Sequence, residues 1–497
     1  MTLEEKLYNW FGYSSFRPGQ KEIIEEIEKG KDVFAMLATG GGKSILYQLP
    51  AFTHASGLTL VVSPLISLME NQVQELKANG LKRVTSITST LTFSEKQERM
   101  ARLQEWRLLY VSPEMLNAPT FLERLKAQPI HLLVVDEAHC VSQWGHDFRP
   151  DYLDIGEKRL QLGSPPCLAL TATATPTVRE DILKHLHMDS KRTSLFCHSM
   201  NRPNIGLFVE HVQGEEDKKS RLLDIHSHFR GPMMIYTMSR MVAEELAVWL
   251  EEQTTVRVAA YHGGMEAQER LMIQQQFING SLDVICCTSA FGMGINKPDV
   301  RCIIHYHIPA DLESFVQEIG RAGRDGERAA SIVLKAPYDE DRPEGMIYHT
   351  YPPVETIKHL LMMYVEDNQT AEQLLAAWDE EEELYGRQIV YALKRMGWFD
   401  SDDQLYTANI ERMAAHLSKW VEERIANRLQ KLAVMKKWLY ATTCRREMLV
   451  KEFNETAGQN SECCDVCGAE WPEVAVKKDL KVSEKGWRDR LQQLLGE

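Results

Sequence analysis

Several features that would assign a protein to a class are missing from this 497-residue chain. It has no apolar run long enough to span a bilayer and no signal-peptide pattern at its start, so we expect a cytoplasmic protein without a membrane partner. Its ten cysteines are not spaced as a disulfide framework, and several fall inside predicted strands. No internal repeat is evident. A large soluble enzyme with about three domains is the expected class.

Positive charge is also in deficit. The chain carries 57 basic and 71 acidic residues, which gives a net charge of −14 at pH 7. This balance argues weakly against nucleic acid as a partner, although binding depends on local patches rather than on the total charge. An acidic run at positions 379–383 accounts for part of the balance. Composition therefore does not identify the partner.

A glycine-rich loop follows the apolar run 33–38 and precedes the helical pattern at 45–49. Its residues are Thr39, Gly40, Gly41, Gly42, Lys43 and Ser44. Such glycines let backbone N–H groups approach a polyphosphate, while the lysine reaches the β- and γ-phosphates and the serine hydroxyl binds Mg²⁺. The loop departs from the general pattern at Leu37, where a glycine is expected. The sequence predicts a nucleoside-triphosphate site, and a chance glycine-rich turn is the alternative.

Two carboxylates end a second apolar run, at residues 132–135. A run that is apolar on both faces suits a buried parallel strand, and ligands bind beyond the carboxyl ends of such strands. Asp136 is then placed to hold Mg²⁺, and Glu137 to polarise the attacking water as general base. His139 is either a surface histidine or, as we favour, a link between the nucleotide and another ligand. Two motifs in this order make a chance turn a poor explanation.

The chain contains two successive series of apolar strands that alternate with helical patterns. The predicted strands are 32–37, 58–63, 108–111, 132–135 and 167–171 in the first series, and 233–236, 257–261, 283–287, 302–305 and 331–334 in the second. This alternation predicts two doubly wound α/β lobes, joined near positions 201–204. Only the first series carries the phosphate loop. The second must therefore contact the nucleotide differently.

Two arginines near the end of the second series could make that contact. Arg321 and Arg324 are separated by three positions in a segment with interspersed glycines. Arginines of this kind can cross a cleft to the γ-phosphate as arginine fingers, whereas an isolated pair usually lies on a solvated surface. The order of the three motifs favours arginine fingers.

Together these motifs resemble those of superfamily 2 helicases, and specifically of the RecQ family of DNA helicases. The resemblance spans roughly residues 1–340 and returns at the C-terminal cysteines. It rests on the segments 16–20, 39–44, 62–68, 110–114, 136–139, 171–175, 291–298 and 317–326. The family's phosphate loop also lacks the first glycine, which accounts for Leu37. The resemblance implies two tandem RecA-like lobes and an ATP-dependent 3′-to-5′ DNA helicase of DNA repair or recombination.

The resemblance also implies roles for single residues. Arg17 and Gln20 would recognise adenine, which makes ATP the fuel, and Gln317 would belong to the nucleotide site. Apart from the resemblance, a glutamine amide can pair a donor and an acceptor with the adenine edge, although any exposed glutamine could do so. Thr171 and Thr173 would couple hydrolysis to lobe movement.

The segment 143–152 resembles the aromatic-rich loop through which RecQ proteins sense single-stranded DNA. Trp144 and Phe148 offer faces on which bases can stack, and Arg149 offers a phosphate contact or a cation–π partner. Aromatic packing at a lobe interface is the alternative.

Four cysteines near the C-terminus form a candidate metal site. Cys444, Cys463, Cys464 and Cys467 supply the number of thiolates that a closed structural Zn²⁺ site needs. Their spacing departs from the commoner family arrangement, because Ser461 stands where the first of the last three cysteines would fall; Cys463 would replace it. A three-cysteine site completed by a histidine or water, and a reactive thiol pair, are the alternatives.

The remaining segments predict a modular C-terminal half. Short helices at 354–363, 371–378 and 385–396, followed by a hairpin at 397–407, suggest a winged-helix-like insert that contacts DNA or has a structural or partner-binding role. A long helix at 414–440 should lead to the zinc cysteines. We predict lobe 1 at 1–204, lobe 2 at 205–342, the insert at 343–413, the long helix and zinc module at 414–470, and a tail at 471–497. This is a short form, without the C-terminal domains that many RecQ proteins carry after zinc.

Single-stranded and duplex DNA are the expected partners of a monomer that uses ATP, Mg²⁺ and Zn²⁺, with repair or replication proteins as possible further partners. Two other functions stay open at this point. One is an ATP-driven translocase or RNA remodeller of the same superfamily, and the other is an ATP-gated adaptor whose helical and zinc modules recruit other proteins.

Overall fold

The structure is a computed structural model that describes residues 1–38, 40–88, 90–142, 149–292, 295, 297–366, 380–399, 410–456 and 463–473. Within these ranges the protein contains two parallel β-sheets, each covered by helices on both faces, followed by a helical insert, a long helix and a cysteine module. This is the predicted α/β class with two RecA-like lobes.

Lobe 1 is built on a seven-stranded sheet in the order β3-β4-β2-β5-β6-β1-β7. Its strands are β1 (Val33–Met36), β2 (Leu58–Val62), β3 (Val84–Ile87), β4 (Leu108–Val111), β5 (Ile130–Val135), β6 (Cys167–Thr171) and β7 (Ser194–Cys197). All strand pairs are parallel. Buried apolar side chains lie on both faces of the sheet, which explains why most of these strands are continuous apolar runs.

Within the described residues of lobe 1, nine α-helices surround the sheet. They are α1 (Leu3–Phe11), α2 (Gln20–Glu28), α3 (Ile45–Thr53), α4 (Ile66–Ala78), α5 (Phe93–Ala101), α6 (Pro113–Asn117), α7 (Pro119–Lys126), α8 (Ile155–Gln161) and α9 (Pro176–His185). Local sequence sets several starts: Thr175 caps α9 by accepting from the Val178 N–H, and Pro176 occupies the first turn, where its missing N–H costs nothing. This cap marks the end of the short connection between β6 and α9.

Lobe 2 has a six-stranded parallel sheet in the order β10-β11-β9-β12-β13-β8. Its strands are β8 (Ile205–His211), β9 (Met233–Tyr236), β10 (Val258–Tyr261), β11 (Val284–Cys287), β12 (Cys302–His305) and β13 (Ala329–Lys335), and its helices are α10 (Glu215–His228), α11 (Arg240–Gln253), α12 (Ala267–Ile278) and α13 (Leu312–Ile319). Strand β8 lies at one edge, directly after the connection between the lobes.

The C-terminal half consists of helices packed on lobe 2 and around a small core of their own. They are α14 (Asp341–His349), α15 (Val354–Glu366), α16 (Glu380–Arg395), α17 (Ile410–Leu439) and α18 (Arg445–Glu452). Ile357, Leu393 and Leu417 are fully buried together and join α15, α16 and the first half of α17. The second half of α17 packs on α13 of lobe 2 through Trp438, whose ring centroid lies 4.6 Å from that of Phe315. The long helix therefore connects the insert to lobe 2.

Most predicted elements are found, with shifted ends. The structure adds three strands that the sequence did not indicate, namely β3, β7 and β8. Strand β3 is buried yet contains Thr85 and Ser86, and β7 alternates between half-buried and exposed residues at a sheet edge, so neither shows the apolar run that marked the others. The predicted helix 371–378 lies outside the described residues, as does most of the hairpin 397–407. The domain boundaries stay predictions.

No helix within the described ranges is both long and apolar enough to cross a membrane. All ten cysteines lie in those ranges, and none is joined in a disulfide.

A buried ion pair in lobe 2 gives the first testable prediction. Lys218 is fully buried, and its Nζ lies 2.7 Å from Oδ2 of Asp339, which is 4% exposed. Replacing Lys218 by methionine leaves a buried carboxylate without its counter-charge, so we expect a loss of about 3–5 kcal/mol in the free energy of unfolding. Denaturant titration followed by tryptophan fluorescence measures it.

The matched control is the exposed pair of Arg257 and Asp283, whose N···O distance is also 2.7 Å. Arg257→Met should cost at most about 1 kcal/mol, because solvent screens exposed pairs. Equal losses in the two variants would contradict the argument from burial.

Candidate functional site

Three adjacent strands of lobe 1 bring the predicted site residues to one edge of the sheet. Strands β5, β6 and β1 are neighbours, and all are parallel, so their carboxyl ends face the same side. The carboxylates follow β5, Thr171 ends β6, and the phosphate loop follows β1. This is the edge where open α/β sheets bind ligands.

The phosphate loop is held by side chains from the segment before α2. Arg17 donates to the Gly40 carbonyl, and Nε2 of Gln20 donates to the carbonyls of Gly41 and Gly42 at 3.1 and 3.0 Å. The amide oxygen of Gln20 in turn accepts from the Arg17 backbone N–H at 2.9 Å. Thus both ends of the Gln20 amide are engaged by the protein itself. Thr39 lies outside the described residues.

The predicted catalytic carboxylates lie next to the loop lysine. Nζ of Lys43 is 3.3 Å from Oε1 of Glu137, which has a left-handed backbone with φ of +47°. Burial, and then the charge of Glu137, raise the pKa of Asp136 to about 6, against the opposing charge of Lys43. A buried carboxylate with hydroxyl oxygens nearby, including Ser63 Oγ at 3.4 Å, fits Mg²⁺, which prefers oxygen ligands.

His139 connects the carboxylates to the neighbouring strand. Its Nδ1 lies 3.4 Å from Oε2 of Glu137 and 3.0 Å from Oγ1 of Thr171. The Thr171 hydroxyl donates to the Thr173 carbonyl at 2.9 Å. His139 is 1% exposed, so it is not a surface histidine. Its role as a link between the nucleotide and another ligand stays a prediction.

Arginines from lobe 2 reach this edge of lobe 1. Arg324 lies against Gly40, where an added Cβ would come within 2.9 Å of the arginine Cδ. Arg324 and Arg321 donate to the carbonyls of Ile295 and Gly292, yet the buried Nε of each has no hydrogen-bond partner in the described part of the chain. Burial, followed by the charges of Arg321 and Arg202, lowers the pKa of Arg324 to about 9. The guanidinium stays charged at neutral pH and suits an anion.

Family models match three successive parts of the chain. They are the DEAD/DEAH box helicase model over residues 17–182, the helicase conserved C-terminal domain over residues 217–326, and the RecQ zinc-binding model over residues 407–468. The probable ATP-dependent DNA helicase RecS of Bacillus subtilis is 42% identical over 476 residues, which cover 94% of this chain and 92% of that protein. The chain belongs to the RecQ family of DNA helicases.

Other relatives in this family are longer. The ATP-dependent DNA helicase RecQ of Haemophilus influenzae is 41% identical over 66% of this chain and 52% of its own length, so this chain matches about half of it. Among solved structures, the Mycobacterium smegmatis helicase Lhr bound to single-stranded DNA and AMP-PNP has a TM-score of 0.57 at 19% identity and covers 79% of this chain and 57% of that one. Mss116p bound to single-stranded RNA and AMP-PNP reaches 0.59 at 17% identity over 87% and 89%. These likenesses show the fold of the two lobes.

The RecQ-like aromatic loop is described only at its C-terminal end. Trp144 and Phe148 lie outside the described residues. Nη1 of Arg149 donates to the Pro64 carbonyl at 3.1 Å, and the buried Tyr152 hydroxyl donates to the Asp136 carbonyl at 3.0 Å. The end of this loop is therefore anchored at Pro64 and at the backbone of Asp136, one of the two predicted catalytic carboxylates.

Two other predicted nucleotide residues lie at helix ends near the site. Ser44 directly precedes α3, so its hydroxyl stands at a helix N-terminus beside Lys43. Gln317 is a buried residue of α13, the helix that ends where the arginine segment begins.

All four predicted zinc ligands come together. The sulfurs of Cys444, Cys463, Cys464 and Cys467 lie within 4.8 Å of one another. Burial, together with the neighbouring cysteines, raises the pKa of Cys463 to about 11 and raises that of Cys467 as well. Burial acts on Cys444 too, but hydrogen bonds from the Glu447 backbone and from Cys463 lower its pKa. A bound cation would favour the thiolate form of these cysteines. Four thiols at this spacing fit a tetrahedral Zn²⁺ site, in which Cys463 takes the place expected of residue 461.

The cysteine module covers the exposed edge of lobe 2. The Leu207 N–H of edge strand β8 donates to the Cys463 carbonyl at 3.3 Å, and the Val209 N–H donates to Asp465 at 3.2 Å. Both oxygens of Asp465 also accept from Arg445 of α18, at 2.6 and 3.0 Å. Sequence reasoning missed these residues because no motif marks them; their position beside the cysteines was the available signal.

Removing one ligand should release the metal. We expect one Zn²⁺ per chain in the purified protein and none in Cys467→Ala, because a closed structural site needs four ligands. Metal analysis by mass spectrometry measures this. Cys197→Ala is the matched control, since Cys197 is exposed and lies on β7, away from the cluster; it should keep its zinc. Full zinc in Cys467→Ala would contradict the ligand set.

Proposed function

We propose that this RecQ-family protein couples ATP hydrolysis between its lobes to 3′-to-5′ movement along single-stranded DNA, and so unwinds duplex DNA. The observation that supports it most directly is the meeting of Lys43 and Glu137 of lobe 1 with Arg324 of lobe 2 around one phosphate loop. A γ-phosphate bound there would contact both lobes. Hydrolysis would then change how the lobes are held together.

Nucleotide binding requires the loop to exchange partners. Gln20 already uses its amide on loop carbonyls and on the Arg17 N–H. We propose that adenine recognition by Gln20 and Arg17 replaces these hydrogen bonds, while the loop from Thr39 to Ser44 turns its N–H groups to the phosphates. Adenine binding would thereby be linked to loop conformation.

The catalytic pair would separate on binding. Lys43 now neutralises Glu137, and a triphosphate would draw the lysine away and leave the carboxylate free to accept a proton from water. Asp136 and Ser44 would hold Mg²⁺, which supplies charge neutralisation at the phosphates. Arg321 and Arg324 would stabilise the charge that develops on the γ-phosphate.

DNA binding would affect this site through a few direct contacts. Arg149 and Tyr152 contact Pro64 and the Asp136 backbone, so a strand that stacks on Trp144 and Phe148 could shift the carboxylates. His139 and Thr171 offer a parallel link toward lobe movement. We place the protein in the cytoplasm as a monomer that acts in DNA repair or recombination with repair or replication proteins, and its ten unpaired cysteines fit a reducing compartment.

The catalytic roles of Lys43 and Glu137 can be tested separately. Glu137→Gln should lower ATP turnover by about 10²–10⁴-fold while nucleotide still binds, because only the general base is lost. Lys43→Ala should lose nucleotide affinity as well. Single-turnover ATP hydrolysis and titration with a fluorescent ATP analogue measure the two effects.

Glu157→Gln is the control for charge removal, since Glu157 lies on α8 and pairs with His187 at the surface. It should hydrolyse ATP normally. Near-normal turnover in Glu137→Gln would remove Glu137 from the chemistry.

Strand displacement tests the direction and the choice of DNA. A duplex with a 3′ single-stranded overhang should be unwound, whereas a 5′ overhang and an RNA duplex should not. Trp144→Ala should keep basal ATP hydrolysis but lose DNA stimulation, because stacking contributes about 1–3 kcal/mol per base.

Trp249→Ala, a change in α11 of lobe 2, is the matched tryptophan control and should keep stimulation. RNA unwinding would instead favour an RNA remodeller. ATP hydrolysis without any displacement would favour a translocase or an adaptor.

A further inference from the structure

The connection between the lobes lies between the arginine segment and the cysteine module. Residues 199–204 run from the end of β7 to the start of β8. Their side chains and backbone make hydrogen bonds in two directions, one toward residues 320–327 and one toward α18. We call residues 199–204 the linker.

Toward lobe 2, Arg202 holds the backbone around the proposed arginine finger Arg321. Its Nη1 donates to the Gly320 carbonyl at 3.1 Å, and its Nη2 donates to the carbonyls of Ala322 and Gly323 at 2.9 and 2.7 Å. These three residues flank Arg321 on both sides. A planar guanidinium can satisfy several carbonyls at once in a fixed geometry, which a lysine cannot.

Asn204 adds a second clamp on the same segment. Its Nδ2 donates to the Gly323 carbonyl at 2.8 Å and to the Glu327 carbonyl at 2.9 Å. The turn that carries Arg324 is therefore tied to the linker at both ends. Its conformation does not depend on lobe 2 alone.

On the opposite side, the linker is held by α18 and the residues that follow it. Arg446, two residues after the zinc ligand Cys444, is 3% exposed and donates from Nη1 to Asn201 Oδ1 and to the Arg202 carbonyl, both at 2.9 Å. The carboxylate of Glu455 accepts from the Ser199 hydroxyl at 2.6 Å and from the Met200 N–H at 2.9 Å. Arg446 also donates to the Cys463 carbonyl at 3.4 Å.

These contacts form one continuous chain from the cysteine cluster to the phosphate loop. It runs from Cys463 through Arg446 to the linker, from Arg202 to the carbonyls around Arg321, and from Arg324 to Gly40. A group that must sit within a fraction of an ångström of a phosphate needs such support, because a misplacement of about 1 Å can cost about a hundredfold in rate.

We propose that Arg202 is a positioning residue for Arg321 and Arg324, and that Arg446 extends this support to the zinc module, so that the module sets the rate of ATP turnover. The inference rests on the proposed role of the two arginines as fingers. Arg202 and Arg446 would act through the backbone carbonyls that they hold. Their effect should appear in turnover and not in nucleotide affinity.

The test is the turnover number of Arg202→Lys at saturating ATP and single-stranded DNA. We expect kcat to fall by about ten- to a hundredfold, with the KM for ATP changed less than twofold, since a displaced finger weakens only the transition state. Arg446→Lys should show the same pattern with a smaller fall, while metal analysis shows zinc retained. Arg159→Lys is the matched control, because Arg159 is a buried arginine of lobe 1 that likewise donates to carbonyls, those of Pro165, Leu186 and His187. It should leave kcat unchanged.

A double-mutant cycle separates positioning from general damage. Arg202→Lys should cause little further loss in a background that carries both Arg321→Ala and Arg324→Ala, because the groups that Arg202 positions are then absent. Equal losses in the two backgrounds, or an unchanged kcat in Arg202→Lys, would overturn the inference. Normal turnover in Arg324→Ala would instead overturn the finger role itself, and the two failures are thus distinguished.

Asn204→Ala provides a second variant should Arg202→Lys unfold. Asn204 is partly exposed, and its removal deletes two hydrogen bonds without leaving a buried charge. It should keep the wild-type midpoint of thermal unfolding within a few degrees and lower kcat without raising KM. An unchanged kcat with an unchanged midpoint would also overturn the inference.

Discussion

The close approach of Arg324 to Gly40 is the contact on which the rest of this molecule depends. It brings a buried cation of lobe 2 against the phosphate loop of lobe 1, at a point where even a Cβ would collide. Glycine at position 40 also adopts a φ of +85°, which other residues rarely tolerate. The absence of a side chain at position 40 therefore allows the observed close approach of the two lobes.

That interface concentrates charge that the protein does not fully neutralise. Lys43 is paired with Glu137, whereas Arg321 and Arg324 donate to the backbone carbonyls of Gly292 and Ile295, and within the described residues the Nε of each has no hydrogen-bond partner. Buried guanidiniums left with spare donors favour an anion, and a nucleotide supplies one. Binding and release are therefore expected to alter how tightly the lobes associate.

The sequence predicted the chemical groups well and their supports poorly. The loop at Lys43 and the carboxylates at Asp136 and Glu137 are local motifs. The cysteine cluster combines a local motif with Cys444, which lies 19 positions before it, and the structure brings all four sulfurs together. Arg202 and Arg446 are single arginines that donate to carbonyls and an amide as far as 118 and 245 positions away, and no local pattern records such contacts. Strand β7 escaped for a related reason: it is an edge strand that alternates between half-buried and exposed residues. Strand β8 was missed although its residues Leu207, Phe208 and Val209 are apolar and buried.

The position of the cysteine module explains why residues far from the predicted motifs can support them. It covers β8, an edge strand whose free N–H and C=O groups would otherwise be open to pairing with another chain. Because β8 starts where the linker ends, anything that holds the edge also fixes the linker. The short segment that holds these four cysteines has a small apolar core of its own. A bound metal would therefore contribute to its folding stability. Stability at the sheet edge and order in the arginine segment then have a common origin.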